Sequence, residues 1–376
     1  MDIAFIRQKF NPFGGAELDL QNTINELATN SKFNITLLSR NWESENLDSS
    51  IKIHKLNPFY IGRTWRDFSF ANHVYQYLQK NQFDIVQSNE RIIGSQIFRA
   101  GDGLHISWLN ICQYFFKKKL TSFSLYHNYQ LINEKKLLNS KQLKTVICIA
   151  KLGREEVCKY YPECKAELPI FYIGVDLNKF TPRLNDRSRI KIAKTIANEK
   201  NNWSAEKLTL IFVGSGFRRK GLNYAIAAIA NTKDIQLIII GADKNQNRFK
   251  KMAENLKVDH RIYFAGGQKN VIDFYHSADA LILPTIYDPF GIVVLEALAC
   301  GLPVITTTNC GAKDLIIENQ NGYIIDDFTN ISFSKKIEKL KEKKLLEEMG
   351  KAAREKALDY SIEKKTQEII NFYKSY

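Results

Sequence analysis

Three short runs hold residue types and spacings able to act on an anionic ligand. In Asp288-Pro289-Phe290-Gly291-Ile292-Val293-Val294-Leu295-Glu296, two acids stand eight apart around a Phe-Gly pair. The apolar stretch Ile292–Ala299 predicts a helix, so Gly291 and Ile292 lie at its start, where backbone N–H groups lack partners and the dipole favours negative charge. Glu296 falls one turn inside that otherwise apolar helix, and a carboxylate there either stabilises something polar or costs stability. The second run is Val213-Gly214-Ser215-Gly216-Phe217-Arg218-Arg219-Lys220-Gly221. Gly214 and Gly216 begin like a dinucleotide fingerprint, but Arg219 takes the third glycine's place. Gly216 and Gly221 have P-loop spacing, but Leu222-Asn223 replaces the required Lys and Ser/Thr. Three cations at the start of a helix predicted from about Arg219 oppose its dipole, and a bound diphosphate would relieve that cost. A solvated cluster is the alternative reading. The third run, Asn11-Pro12-Phe13-Gly14-Gly15-Ala16-Glu17, joins an apolar strand to an amphipathic helix, and its glycines admit close approach of a ligand to the backbone.

Each run needs a strand before it and a helix behind it, and the chain supplies both. Apolar or β-branched runs predict strands at Ile3–Ile6, Asn34–Leu38, Ile51–His54, Ile85–Gln87 and Thr145–Ile149. A second series follows at Leu208–Val213, Ile235–Ile240, 261–264, Ala280–Leu283, Pro303–Thr306 and Tyr323–Ile325, with helices between. Helices are also predicted at Ile331–Met349, Lys351–Leu358 and Ser361–Tyr373. Alternation of this kind predicts an α/β protein with two doubly wound parallel sheets in tandem. The expected domains are 1–172 and 173–355, with 356–376 a terminal helix returning to the first domain. Two such sheets facing each other would leave a cleft at the carboxyl ends of their strands.

Composition narrows the class. The 376 residues carry 54 Lys+Arg against 40 Asp+Glu, a formal charge of +14, with 8 Pro and 19 Gly, so neither a collagen-like nor a low-complexity chain fits. The apolar start is too short for a signal peptide, and no run of about 18 apolar residues occurs, which points to a cytoplasmic protein that does not span a membrane. The six cysteines form no C-x-x-C pair and are not interleaved with histidines, so neither a metal site nor a disulfide framework is expected. The charge is local: residues 1–110 sum to zero, while 111–150 hold seven Lys against one acid. Phe115, Phe116, Lys117, Lys118 and Lys119 there combine aromatic and basic character suited to an anionic membrane or an acceptor. A core-facing aromatic stripe with a solvated Lys face is the other reading.

The Asp288–Val304 run, the Gly-Gly loop and Arg219-Lys220-Gly221 together resemble the retaining glycosyltransferases of family 4, in particular the lipopolysaccharide-core glucosyltransferase type. The resemblance implies the GT-B architecture, two Rossmann-like domains facing across a nucleotide-sugar cleft. It implies that Arg219 and Lys220 grip the donor diphosphate, with Gly14 and Gly15 over the same phosphates. Phe290, Gly291 and Ile292 would meet donor sugar and phosphate through their backbone, and Glu296 would bind the ribose. Gln268, beside Gly267, lies where the base is read. Asp288 stands where the family has Glu, so its reach toward the sugar is one methylene shorter. His105, in Gly101-Asp102-Gly103-Leu104-His105, resembles the histidine near the transferred sugar. By itself, a lone His after Gly-Asp-Gly reads as structural.

The function so implied is retaining transfer of a hexose, from a donor expected to be UDP-linked, to a lipid-linked saccharide such as lipopolysaccharide core. Same-face attack is expected, because no carboxylate nucleophile is evident. No metal or other cofactor is expected, since no Asp-x-Asp motif occurs and the basic pair can serve the diphosphate. The implied location is the inner face of the cytoplasmic membrane, peripherally bound to its anionic surface. The alternatives are a GT-B epimerase or glycogen-type synthase, or a basic nucleic-acid binder. The last has no recognised module here, so no nucleic-acid partner is expected.

Overall fold

The computed structural model describes residues 1–10, 15–29, 32–44, 46–117, 124–199 and 203–376. Gly14, Lys118 and Lys119 lie outside them. The chain forms two compact units, Met1–Gly174 with Glu363–Tyr376, and Val175–Ile362.

The first unit is built on β1 (Asp2–Ile6), β2 (Asn34–Ser39), β3 (Lys52–Lys55), β4 (Ile85–Ser88), β5 (Ile97–Arg99) and β6 (Thr145–Ile147). They form one parallel sheet in the order β3-β2-β1-β4-β5-β6. β5 escapes the sequence pattern because it has three residues and ends in Arg99, whose charge is neutralised inside by Asp19 at 2.6 Å. The core combines Ile3 and Phe5 of β1, Leu37 of β2 and Ile85 of β4 with Ile369, Ile370 and Tyr373 of the terminal helix Ile362–Ser375. Tyr373 stands edge-on to Phe5 at 6.0 Å and donates its hydroxyl hydrogen to Gln87 Oε1.

The second unit contains β7 (Leu208–Val213), β8 (Ile235–Ile240), β9 (Ile262–Gly266), β10 (Ala280–Leu283), β11 (Val304–Thr307) and β12 (Gly322–Ile325). Its parallel sheet runs β12-β11-β10-β7-β8-β9. All of β8 and β10 is buried, as expected of strands covered by helices on both faces. The segment read as one helix over 331–349 is two, Asn330–Lys339 and Lys343–Ala357, with the break at 340–342. The helix expected from about Arg219 begins only at Leu222, because Gly221 adopts φ +76° and caps it.

Both sheets have the doubly wound order in which the direction of winding reverses between two adjacent central strands. Ligands of such sheets bind beyond the carboxyl ends of those strands. These are β1 and β4 in the first unit, and β7 and β10 in the second.

Candidate active site

In the second unit the loop after β7 meets the loop after β10. Gly214 and Gly216 adopt φ +139° and +72°, and a Cβ on Gly221 would lie 1.8 Å from the Pro284 carbonyl oxygen. That close approach sets Lys220 beside the β10 loop. Its stem passes Gly214, and its ammonium forms an ion pair with Asp288 Oδ2, both residues being buried. Arg219 Nη1 donates to the Tyr287 carbonyl at 2.9 Å and lies 3.9 Å from the same Asp288 oxygen. Burial alone would raise the Asp288 carboxyl, but Lys220 and Arg219 hold it below its usual value. The structure thus pairs Asp288 with Lys220, so the carboxylate expected to reach toward a sugar is also the counter-charge of a neighbouring cation.

Phe290 is buried and its carbonyl accepts from the Ala312 amide at 2.7 Å. Gly291 has φ +90°, and a Cβ there would meet Cys310 Sγ at 2.9 Å. Helix Ile292–Ala299 follows, and no side chain caps its N-terminus. Glu296 accepts the Tyr275 hydroxyl at 2.7 Å. Burial raises the Glu296 carboxyl, against the Tyr275 hydrogen bond and the fields of Lys179 and Lys220. The loops after β7 and β10 therefore bring Arg219, Lys220, Asp288 and the start of this helix together, with Glu296 in the field of Lys220. Gln268 follows β9, and its amide donates to the Ala265 carbonyl at 2.5 Å.

In the first unit, Gly15 opens helix Gly15–Ala28. His105 begins helix His105–Phe116, and its Nε2 lies 3.0 Å from His127 Nδ1. Its amide donates to Glu134 at 2.5 Å, as does that of Ile106 at 3.1 Å. Glu134, fully buried, also takes Arg91 Nε at 2.7 Å and the Tyr161 hydroxyl at 2.9 Å, so it caps the helix from another element. His105 lines a cavity of about 360 Å³ with Asp67, Glu90, Asp102, Tyr126 and Gln130. Arg7, directly after β1, binds Asp102 at 2.5 Å and Glu17 at 2.6 Å.

Glu134, His127, Arg7, Asp67 and Glu90 were not read from the sequence. A charged residue at the end of a buried strand was the available signal for Arg7 and, near the end of β4, Glu90. Phe116 packs edge-on against Trp108 at 6.2 Å, Phe115 meets Tyr114 at 5.0 Å, and Lys117 is exposed with φ +49°.

Burial, with Arg91 nearby, lowers the His105 pKa from 6.5 to about 4, so the folded ring stays neutral down to about pH 4. The unfolded chain takes up this proton near 6.5, so the stability contributed by His105 is complete above that pH and declines between about 6.5 and about 4. His105→Gln should flatten this part of a melting-temperature profile against pH. An unchanged profile would show that the ring is not held neutral.

Comparison with known proteins agrees with this layout. Residues 193–356 match the family "Glycosyl transferases group 1". The chain is 25% identical over 336 residues to the lipopolysaccharide glucosyltransferase WaaG of Escherichia coli K12, covering 86% of this chain and 85% of that protein. It is 32% identical over 133 residues to the N-acetyl-alpha-D-glucosaminyl L-malate synthase of Bacillus anthracis, covering 35% of each. Among solved structures, WaaG superposes with a TM-score of 0.82 at 21% identity, over 98% of this chain and 99% of that one. Anabaena HepE, solved in complex with UDP-glucose, gives 0.77 at 16% identity over all of both chains. Residues 193–356 are therefore a group 1 glycosyltransferase domain, carried in a chain of the GT-B fold.

Proposed function

We propose that the chain is a retaining hexosyltransferase that takes a hexose from a nucleoside diphosphate sugar, UDP-linked by preference, and passes it to a lipid-linked saccharide at an anionic membrane face. The observation that carries this reading is the meeting of Arg219 and Lys220 with the uncapped start of helix Ile292–Ala299 at the carboxyl ends of β7 and β10. On this reading both donate to the charge that a leaving diphosphate gains. Lys220 and Arg219 share one carboxylate, Asp288, so the pair keeps an excess of positive charge, to which the helix dipole adds. An ammonium has three N–H donors, and Asp288 leaves some of them for a phosphate oxygen. On this reading Glu296, which accepts the Tyr275 hydroxyl, also accepts from ribose hydroxyls. No metal is invoked for the diphosphate.

The relatives support the same direction: WaaG is named a lipopolysaccharide glucosyltransferase, and HepE was solved with UDP-glucose. No helix among the described residues is long and apolar enough to cross a membrane, which suits an enzyme that meets its acceptor from the side.

A panel of UDP-, GDP- and ADP-sugars, each with and without a chelator, tests this by thermal shift and by slow donor hydrolysis. The true donor, at about 100 times its Kd, should stabilise the protein by about 2.7 kcal/mol with the chelator present. A panel in which no donor shifts the melt would overturn the reading.

A further inference from the structure

We propose that the outward face of helix Gly62–Lys80, with Phe59 ahead of it, docks on the surface of an anionic lipid bilayer. The proposal gives the membrane-side acceptor of the proposed function a place on the protein, and so rests on that reading for its purpose, while its observations stand apart from the donor site.

A helix on the surface of a water-soluble unit normally turns its apolar stripe inward. This one packs Phe70 and Val74 inward, with Ala71, Tyr77 and Leu78 against the same core, and still leaves a second set of apolar side chains outside. Ile61, Trp65, Phe68 and Tyr75 follow one another at helical spacing on a single face, and these four and Phe59 are 50% to 76% exposed. The buried side holds Asp67 and Ser69 beside Phe70 and Val74. That register is locked. Asp67 accepts from Gln130 at 2.6 Å, Gln8 at 3.1 Å and Arg66 at 2.8 Å, while Ser69 accepts from the buried Arg40 at 2.7 Å. Rotating the helix to hide its outer aromatic side chains would strip a buried carboxylate of these donors and bring Phe70 and Val74 out of the core.

The occupant follows from charge. Residues 51–80 contain five cations, Lys52, Lys55, Arg63, Arg66 and Lys80, and one acid, Asp67, which is the buried one. Lys52 and Lys55 lie on the exposed edge strand β3, and Lys80 is also exposed. Phe59 and Trp65 meet edge-on at 6.3 Å, and Arg63 lies 4.8 Å over the Tyr126 ring, which joins this face to the exposed Leu125. Aromatic rings among cations, with no exposed acid, match the boundary between anionic headgroups and acyl chains, where Trp and Phe insert and each cation near the surface adds about fivefold in affinity.

The full chain supplies its own reporter. Trp42 and Trp203 are buried and Trp108 half-buried, so Trp65 is the exposed tryptophan. Vesicles of phosphatidylcholine with phosphatidylglycerol should bind the protein and, when made with brominated acyl chains, quench its fluorescence. Phosphatidylcholine alone should bind it much less. Trp65→Phe should keep the binding and lose most of the quenching. The triple variant Phe59→Ser, Trp65→Ser, Phe68→Ser should lose at least about tenfold in partitioning with an unchanged melt, because these side chains face solvent. Wild-type partitioning by the triple variant would overturn the proposal. So would equal binding to both vesicle types, an unquenched Trp65, or a wild-type dimer in sedimentation that the triple variant dissolves. Binding is read without turnover. Specific binding without any donor-induced stabilisation would uphold this surface and count against the transferase reading alone, and the reverse result would remove only the surface.

Discussion

Lys220→Ala should lower kcat/KM for sugar transfer by about a thousandfold, the scale of removing one preorganised donor to developing charge. It should also cost stability, because Lys220 and Asp288 are a buried pair. Removing one member leaves the other charged and uncompensated, typically at about 3–5 kcal/mol. Arg219 remains 3.9 Å away and offsets part of that. The double variant Lys220→Ala, Asp288→Asn separates the two effects: urea unfolding should return toward wild type, and transfer should not. The pair also predicts a pH response. The Asp288 carboxyl is held below its usual 3.8, so its contribution is fully present above that value and is lost as pH falls through the lower folded pKa. Asp288→Asn should lack this acid-side loss in a stability profile. Near-normal turnover by Lys220→Ala would remove the site from consideration.

Gly221→Ala should be the most damaging single-methyl change in the second unit. The added carbon would meet the Pro284 carbonyl oxygen at 1.8 Å, and the residue would have to hold φ +76°. No side chain can yield there, because the obstacle is backbone at the end of β10. The loop after β7 must move away, taking Lys220 from Asp288 and the capping turn from helix Leu222–Ala230. A loss of about 4 kcal/mol or more is expected, in the range reserved for specific structural faults. Gly216→Ala is the matched control, since Gly216 has φ +72° with nothing within 4 Å of the new carbon. It should cost about 1–2 kcal/mol, the strain of a left-handed residue alone. Chemical unfolding of both variants checks the contrast, and equal losses would show that the contact with Pro284 is not what makes Gly221 necessary.

Much of the second unit could be read along the chain. Leu208–Val213, Ile235–Ile240, Ala280–Leu283 and Ile292–Ala299 have the limits their apolar runs predict, because strands and helices buried on every side must be apolar throughout. The glycines of the two loops marked where backbone turns. The start of helix Leu222–Ala230 was misread because Gly221, at positive φ, packs its backbone against the Pro284 carbonyl, a contact from far along the chain that no neighbour signals.

The first unit was less legible at its site. Arg7 pairs with Asp102, and Glu134 caps the helix of His105 from a different helix, so neither role has a local pattern. β5 was missed for a related reason: Arg99 ends it with a charge, and only Asp19, 80 residues earlier, makes that charge tolerable inside.

The sequence by itself determined that two parallel α/β units exist and that cations, glycines and a helix start recur after their strands. Those features depend on local hydrophobic period and backbone preference, which each segment carries with it. The tertiary structure alone decided that Asp288 neutralises Lys220, that Glu134 serves His105, and that helix Gly62–Lys80 keeps Asp67 inside with Trp65 and Phe68 outside. Each of these depends on which charges share a low-dielectric interior. A buried carboxylate is stable only beside its donors, and the fold, not the order of residues, chooses those donors.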